Sequence, residues 1–212
     1  YVAAPLGVGR RLLAPHVPEF IEAYPEVSVR LRLTDRLVDL TTEGLDLAFF
    51  LGQPADSNLR IRKIADVQRV FCASPGYIEK RGMPESGEAL VADRHECLNL
   101  RFPGAPEFQW RVMTDEGPKR LRVWGRYESD DGDVLTDWAL ADRGIAMKPL
   151  FEVAEHLKSG RLLSVATKTP PEPIQMACLF THRRRQDPKA RLFMEFMVER
   201  IGAGIAAAKI ET

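Results

Sequence analysis

This sequence of 212 residues lacks net charge, long apolar runs and recognisable catalytic motifs. Its 30 basic and 30 acidic residues cancel, so no overall positive field favours binding to nucleic acid. No apolar run approaches the roughly 20 residues that a membrane-spanning helix needs. No phosphate-binding loop, Ser-His-Asp arrangement or pair of catalytic carboxylates is recognisable. The sequence therefore predicts no catalytic residue, no membrane segment and no direct binding of this chain to DNA.

Side chains that form disulfides or bind metals are few and scattered. Cys72, Cys97 and Cys178 are odd in number and far apart, which argues against a disulfide framework and favours a reducing, cytoplasmic location. We expect the three thiols to be small buried hydrophobic groups. The four histidines lack metal-ligand spacing, so we expect no metal site and no cofactor.

The composition that is present is typical of a globular protein. Apolar residues make up 45% of the chain and charged residues 28%, and the length suits one large or two small domains. The opening residues form neither the charged region nor the apolar region of a signal peptide. Because a predicted strand, YVAA, starts the sequence abruptly, we expect the chain to be a segment of a longer protein.

The first quarter of the chain alternates strand and helix patterns. After the opening strand, apolar residues at helical spacing over 10–24 predict a helix, which two prolines bend or make uneven. Residues 27–33 alternate as a strand with one buried face, and residues 37–43 are predicted to form a short helix. The apolar run 45–51 then predicts a strand buried on both faces. This order is typical of a βαβαβ unit with a parallel sheet.

The rest of the chain repeats this alternation. Residues 69–77 predict a strand leading to a helix start, and residues 99–128 predict strands joined by turns. A helix over 131–142, a strand and a proline-rich connector follow. The chain ends with a strand and a helix over 188–201. This order predicts two α/β lobes joined by two crossings, with the ligand cleft between them, since ligands of open α/β sheets bind where strands end.

The order and spacing of several segments resemble the effector-binding domain of LysR-type transcriptional regulators. These segments are APLGVGRRLLAP (4–15), FIEAYPEVSVRLRLTDRLVDL (20–40), EGLDLAF (43–49), CASPGYI (72–78), DDGDVLTDWALADRGIAMKP (130–149) and LKSGRLLSV (157–165). The resemblance implies an α/β fold of the type 2 periplasmic-binding-protein kind, with two α/β subdomains joined by two crossover segments and a cleft between them. It places residues 1–71 and 177–212 in lobe I, and residues 72–176 in lobe II.

The same resemblance implies which residues line the cleft. They lie in turns and at strand ends of both lobes: Leu6, Gly7, Val8, Asp35, Arg36, Phe50, Leu51 and Gly52 in lobe I, and Ser74, Arg101, Phe102, Asp130, Asp131, Lys148 and Pro149 in lobe II. Simpler roles stay open for some of them. Ser74 and Asp131 suit helix caps, Asp35 suits an Asx turn, and Phe50 suits packing between the lobes.

Two positions depart from the family pattern. Many relatives carry a hydroxyl residue where this chain has Gly7, and an arginine where it has Phe50. Those groups suit an anionic effector, whereas a bare backbone and an aromatic ring do not. The departures predict a small-molecule effector that is less anionic and more apolar than the small acids frequent in the family.

The resemblance leads to a functional prediction. It implies a ligand-sensing, dimerising regulatory domain in the cytoplasm, present as a homodimer or a tetramer. It also implies that DNA is bound only through a helix-turn-helix domain that precedes this segment in the whole protein and is absent from this chain. A solute-binding transport receptor of the same fold is the alternative, and it would need a secretion signal or a lipid anchor. An enzyme on this scaffold is a third reading, which would need catalytic groups brought together only by the fold.

Overall fold

Residues 1–36, 38–52, 59–101, 109–181 and 187–209 are described by a computed structural model of the chain. The chain divides into two units, one formed by Tyr1–Val67 with Ile174–Ala208 and the other by Gln68–Pro173. The sequence placed the divisions after residues 71 and 176. In the structure the chain passes between the units after Val67 and after Pro173. These positions lie just before β5 and β12, so no strand is divided between the units.

The strands and helices alternate along most of the chain. The strands are β1 (Val2–Ala4), β2 (Leu31–Leu33), β3 (Leu47–Gly52), β4 (Arg60–Val67), β5 (Arg69–Ala73), β6 (Cys97–Leu100), β7 (Gln109–Thr114), β8 (Gly117–Arg122), β9 (Tyr127–Ser129), β10 (Ile145–Pro149), β11 (Leu163–Val165) and β12 (Ile174–Phe180). The α-helices are α1 (Leu6–Val8), α2 (Val17–Ala23), α3 (Pro75–Arg81), α4 (Gly87–Ala92), α5 (Gly132–Leu140), α6 (Leu150–Lys158) and α7 (Pro188–Ala207).

The sheet of the first unit has the strand order β2-β1-β3-β12-β4. Strand β1 pairs in parallel with both β2 and β3, with Val2 opposite Leu31 on one side and Leu47 on the other. Strand β12 is antiparallel to β3 and β4. The predicted parallel arrangement is therefore correct for three neighbouring strands, and the returning strand makes the whole sheet mixed.

The first helical region is uneven, as its two prolines predict. A π-helical turn over Gly9–Leu13 and a 3₁₀ turn over Ala14–His16 separate α1 from α2. Proline lacks the N–H that a regular helix needs, so the ladder of hydrogen bonds changes its spacing here. Gly9 lets this region approach the sheet, because a Cβ there would lie 2.1 Å from Leu33 Cδ2.

The predicted helix over 37–43 is wrong. Residue 37 lies outside the described residues, and the residues that follow form a turn in which Asp39 Oδ1 accepts hydrogen bonds from Thr41 N at 2.8 Å and Thr42 N at 2.9 Å. Gly44 ends this turn with a φ of 66°. An aspartate that binds nearby amides competes with helix formation, and here that local competition prevails.

The predicted strand over 27–33 is real but shorter. Only Leu31–Leu33 pairs with β1, which itself has three residues. The predicted alternation of half-buried and exposed residues nevertheless holds from Val27 to Leu33. The periodicity therefore identified the buried face correctly, and the short partner strand limits the ladder.

The sheet of the second unit has the strand order β11-β5-β10-β6-β9. Strands β10, β6 and β9 run parallel, whereas β5 runs antiparallel to β10 and β11. Strands β7 and β8 form a separate hairpin. Buried apolar residues pack on both faces of the five-stranded sheet. Phe71 stacks on Trp110 on one face with ring centroids 5.1 Å apart, and Cys72 packs with Leu135 on the other.

The three cysteines are buried and carry free thiols, as predicted. Burial raises the pKa of Cys72 and of Cys178 to about 12, and it also raises the pKa of Cys97. Because a thiolate is the reactive form of cysteine, these groups are chemically quiet and contribute apolar packing.

A buried histidine predicts acid sensitivity of the fold. Tyr77 Oη shares a hydrogen bond of 3.1 Å with His95 Nδ1 and accepts another from Glu96 N at 3.0 Å. Burial holds the pKa of His95 below its ordinary value of 6.5, and Arg81 adds to this effect. The unfolded chain then takes up the proton first. The free energy of unfolding is therefore expected to fall as the pH drops below about 6.5.

Urea unfolding at about pH 8 and about pH 5.5 measures this loss. His95→Gln removes the titrating group, so the variant is expected to lose less stability across that interval than the wild type. His16→Gln is the control. An equal loss in His95→Gln and the wild type would show that His95 is not responsible.

Candidate functional site

The turns that follow β1 and β2 meet at one edge of the first sheet. Leu6 N donates a hydrogen bond to Asp35 Oδ1 at 2.9 Å, and Thr34 N donates one to Ala4 O at 2.9 Å. Because β1 and β2 are parallel, their carboxyl ends share this edge, and the carboxylate joins the two turns. Asp35 thus binds an amide across the sheet, 29 positions away in the sequence.

The third parallel strand ends at the same edge with Phe50, Leu51 and Gly52, all half-buried. Gly52 has a φ of 147°, and a Cβ there would lie 3.2 Å from Phe50 Cζ. The aromatic ring therefore lies directly beside the glycine. Leu6 and Gly7 are half-buried, and Arg36 is exposed. Val8 is wholly buried, and its side chain packs in the core.

The corresponding edge of the second sheet is built around Lys148, near the end of β10. This lysine is 3% exposed, its Nζ donates a hydrogen bond to Gly132 O at 2.6 Å, and it lies 2.5 Å from Glu152 Oε2. A Cβ on Gly132 would lie 2.9 Å from the ammonium group, so a larger residue there would displace the end of the lysine side chain. Lys148 therefore joins the first turn of α5 to the first turn of α6. Its charge is already matched by Glu152.

Asp131 and Arg101 also have partners at this edge. Asp131 caps α5 by accepting a hydrogen bond from Asp133 N at 2.9 Å, which confirms its predicted structural role. Arg101 Nη1 lies 3.1 Å from Glu128 Oε2, and Arg101 N donates to Ser129 O at 2.9 Å. Asp130 is exposed and Pro149 half-buried, whereas Phe102 lies outside the described residues.

Ser74 does not belong with this group. It follows β5, which runs antiparallel to β10, so it lies at the edge opposite Lys148. Ser74 is 3% exposed, its Oγ accepts from Tyr77 N at 3.2 Å, and it donates to Asp142 Oδ1 at 2.6 Å. That hydrogen bond lowers the pKa of Asp142. The predicted helix cap is confirmed. The sequence did not indicate the reversal of β5, which separates Ser74 from Lys148 and Pro149 within the second unit.

Sequence reasoning missed two residues at the Lys148 edge. Glu152 follows Lys148 by four positions, a spacing that often brings opposite charges together, so a signal for the pair was present. Arg69 begins β5 opposite Pro149, and its Nε and Nη2 donate to Glu172 O at 2.9 and 2.6 Å. No local pattern connects Arg69 with Glu172, and only the fold reveals that contact.

A separate pocket of about 360 Å³ opens at the amino ends of β1 and β3 in the first unit. Residues of β1, of the segment 26–29 and of the start of α7 line it, and the Tyr1 amino group there lies 2.7 Å from Asp46 Oδ2. This pocket contains none of the predicted effector residues.

Neither a metal-binding cluster nor a membrane-spanning helix is found in the described part of the chain. Its histidines, cysteines and carboxylates form no cluster of three or more that could hold a metal ion. Among the same residues, no helix has the length and apolar character to cross a membrane.

The sequence matches the family described as LysR substrate binding domain over residues 1–202. The HTH-type transcriptional regulator DmlR of Escherichia coli strain K12 is 32% identical over 196 residues, covering 92% of this chain and 63% of DmlR. The HTH-type transcriptional regulator CrgA of Neisseria meningitidis is 29% identical over 192 residues, covering 90% of this chain and 63% of CrgA. The chain thus spans less than two thirds of the length of these relatives.

Solved structures agree with this match. The regulatory domain of CrgA, a LysR-type transcriptional regulator, superposes with a TM-score of 0.81 at 26% identity, covering 94% of this chain and 97% of that domain. Full-length AphB, a virulence activator of Vibrio cholerae, gives a TM-score of 0.78 at 26% identity, covering 93% of this chain and 66% of AphB. The chain belongs to the LysR substrate-binding domain family and has its type 2 periplasmic-binding-protein-like fold, as predicted.

The buried ion pair generates a stability prediction. Lys148→Met leaves the Glu152 carboxylate buried without its partner and is expected to cost about 3 kcal/mol of unfolding free energy. Glu152→Leu is expected to cost a similar amount, and the double variant less than the sum of the two. Urea unfolding of the four proteins measures the coupling between the residues.

The matched control is the exposed ion pair Lys158–Glu155, whose two residues both lie on α6. Lys158→Met is expected to change stability by less than about 0.5 kcal/mol. Additive losses in the Lys148 and Glu152 variants would show that the two groups do not act as a pair.

Proposed function

We propose that this chain is the effector-binding, dimerising regulatory domain of a LysR-type transcriptional regulator. The observation that carries the proposal is the family match over residues 1–202, and the relatives it resembles are named as transcriptional regulators. The regulator acts in the cytoplasm and contacts DNA through a helix-turn-helix domain outside this chain. The regulatory domain itself performs no catalysis. An effector shifts the conformational equilibrium of the domain by binding one state more tightly than another.

The proposed effector-binding residues lie at the carboxyl edges of parallel strands, at one edge in each unit. Supporting this, each unit gathers predicted residues where parallel strands end: Leu6, Asp35 and the Phe50–Gly52 segment in one unit, and Asp131, Lys148 and Pro149 in the other. The carboxyl edge of parallel strands is where open α/β sheets bind ligands. Ser74 follows the antiparallel strand β5, and the proposed site does not include it.

The effector is less anionic and more apolar than a small acid. Phe50 offers a half-buried ring, the Lys148 ammonium is paired with Glu152, and the Arg101 guanidinium is paired with Glu128. An anionic ligand would have to displace these carboxylates or share the cations with them. An apolar ligand needs no such exchange and gains from contact with the aromatic ring.

Homodimers form through α2 and the edge strand β2, as the family resemblance implies. Ile21 on α2 is 39% exposed, and β2 is the edge strand of its sheet. An exposed edge strand is prone to unwanted pairing unless another chain covers it. Both features suit an interface between copies related by two-fold symmetry, and two such dimers would make a tetramer.

The coding sequence upstream of Tyr1 tests the function most simply. A helix-turn-helix domain encoded directly before this segment is the expected result. A secretion signal there would instead make the protein a solute-binding transport receptor. A ligand consumed on incubation with the purified chain would point to an enzyme.

Substitution of Phe50 is expected to change which class of ligand the chain prefers. In thermal unfolding with a panel of neutral aromatics (indole, benzyl alcohol) and small carboxylates (acetate, succinate), neutral aromatics are expected to stabilise the wild type by about 2 °C or more. Phe50→Arg adds a cation that favours carboxylates, so this preference is expected to reverse.

Met83→Arg is the matched control, because it adds the same charge at an exposed apolar residue that is not among the predicted effector-binding residues. It is expected to keep the wild-type preference. Selective stabilisation of the wild type by small carboxylates, lost in Arg101→Ala, would overturn the proposed effector class.

Sedimentation at micromolar concentration measures the oligomer. A species of about twice the chain mass of 23.9 kDa is expected. Ile21→Lys is expected to raise the dimer dissociation constant about tenfold or more, because it places a charge in the proposed interface. Ile61→Lys, at an exposed isoleucine on the opposite edge strand, is the control and leaves the constant unchanged. A single 23.9 kDa species in the wild type would contradict the dimer.

A further inference from the structure

The two chain crossings between the units lie next to each other. The chain leaves the first unit after Val67 and returns to it at Ile174, and these two residues are opposite each other in the β4–β12 ladder. Strand pairing between the crossings ends there. Beyond it, the Arg69 guanidinium spans from one crossing to the other, with Nε and Nη2 donating to Glu172 O at 2.9 and 2.6 Å.

The second crossing is held on its other side by β7. Glu172 N donates to Arg111 O at 2.9 Å, and Met113 N donates to Pro170 O at 2.8 Å. Arg111 Nε also lies 2.9 Å from Glu172 Oε2, as an ion pair without the geometry of a hydrogen bond. Pro171 forms a β-bridge with Val112. The segment 170–172 is thus fixed along one strand, and it presents the Glu172 carbonyl to Arg69.

The first crossing is anchored to α6. Leu150 N, the first amide of α6, donates to Gln68 O at 2.9 Å, and Arg69 pairs with Pro149 in the β5–β10 ladder. The same helix carries Glu152, the partner of Lys148. Covalent neighbours and hydrogen bonds therefore connect the two crossings with the Lys148 edge.

Burial of the Arg69 guanidinium removes water from a charged group and therefore costs free energy. Burial lowers the pKa of Arg69 to about 10, and the nearby Glu172 carboxylate opposes that shift. A shorter apolar residue would avoid the desolvation but would leave the Glu172 carbonyl without these two donors. Two charge-assisted hydrogen bonds to one carbonyl form a directional link that an apolar contact does not reproduce.

We propose that Arg69 is a positioning residue that fastens the two crossings into one brace and ties this brace to the start of α6. A displacement of either crossing is then shared by the other and reaches Lys148 through α6. The brace goes beyond the proposed sensing function, because it acts with or without an effector. Its test therefore uses no effector and is independent of the ligand and dimer experiments.

Nitroxide labels at Glu195→Cys and Glu79→Cys report on the two units, since both positions are exposed and the native cysteines are buried. Electron–electron distance distributions are recorded on labelled chain diluted with unlabelled chain. Amide exchange at Glu172 and Met113 is measured on the unlabelled chain. In Arg69→Met, the distribution is expected to broaden and both amides to exchange about tenfold or more faster.

Glu172→Gln is the matched control, because the acceptor for Arg69 is the backbone carbonyl and survives this change. It removes the charge that pairs with Arg111 and is expected to leave the distance distribution as in the wild type. Arg69→Lys keeps the cation with a single donor group and is expected to lie between wild type and Arg69→Met. If Arg69→Met does not fold, Arg69→Lys alone decides the test by the same broadening.

An unchanged distance distribution would overturn the proposal, even if the amides exchange faster. That result would mean that Arg69 stabilises only its own surroundings. Broadening as large in Glu172→Gln as in the Arg69 variants would also overturn it, by assigning the effect to the Arg111 ion pair.

Discussion

Parallel pairing of neighbouring strands is the constraint on which the candidate site depends. In a parallel group every strand ends at the same edge, so the turns that follow are brought together without help from their side chains. In the first unit β1, β2 and β3 deliver Leu6, Asp35 and Phe50 in this way. In the second unit β6, β9 and β10 do so for Arg101, Asp131 and Lys148. The antiparallel β5 sends Ser74 to the other edge, which shows how strictly strand direction decides membership of the site.

The second unit adds a buried charge to this geometry. An ammonium group beside two helix starts meets the positive ends of both helix dipoles, which is unfavourable unless an anion lies close by. Glu152, in the first turn of α6, supplies that anion 2.5 Å from Lys148 Nζ. The carbonyl of Gly132 accepts a further hydrogen bond. Lys148 therefore organises the edge more than it offers charge to a ligand.

Much of the fold follows from patterns that act locally. Alternation from Val27 to Leu33 identified a buried face, the prolines of the first helix identified its irregularity, and Ser74 and Asp131 were recognisable as caps. The turn at Asp39 was missed because its side chain competes for amides that helical periodicity assigns to a helix.

The candidate site was less predictable than the fold. The family resemblance indicated its turns and strand ends, and the structure groups most of them at the two edges. The contacts that organise them were not foreseen. Asp35 binds the amide of Leu6 across the sheet, and Arg69 binds the carbonyl of Glu172, 103 positions later in the sequence. Such contacts depend on strand order and direction, which no single segment of sequence contains.

Mapping of amide chemical shifts by NMR tests the central claim, that ligands bind at the two parallel-strand edges. The probe is the neutral aromatic that stabilises the wild type most in thermal unfolding, added stepwise to isotope-labelled chain. The account predicts saturable shifts at Leu6, Gly7 and the Phe50–Gly52 segment together with Gly132, Lys148 and Leu150. Shifts confined to the opposite edges, around Ser74 or the pocket at Tyr1, would contradict it.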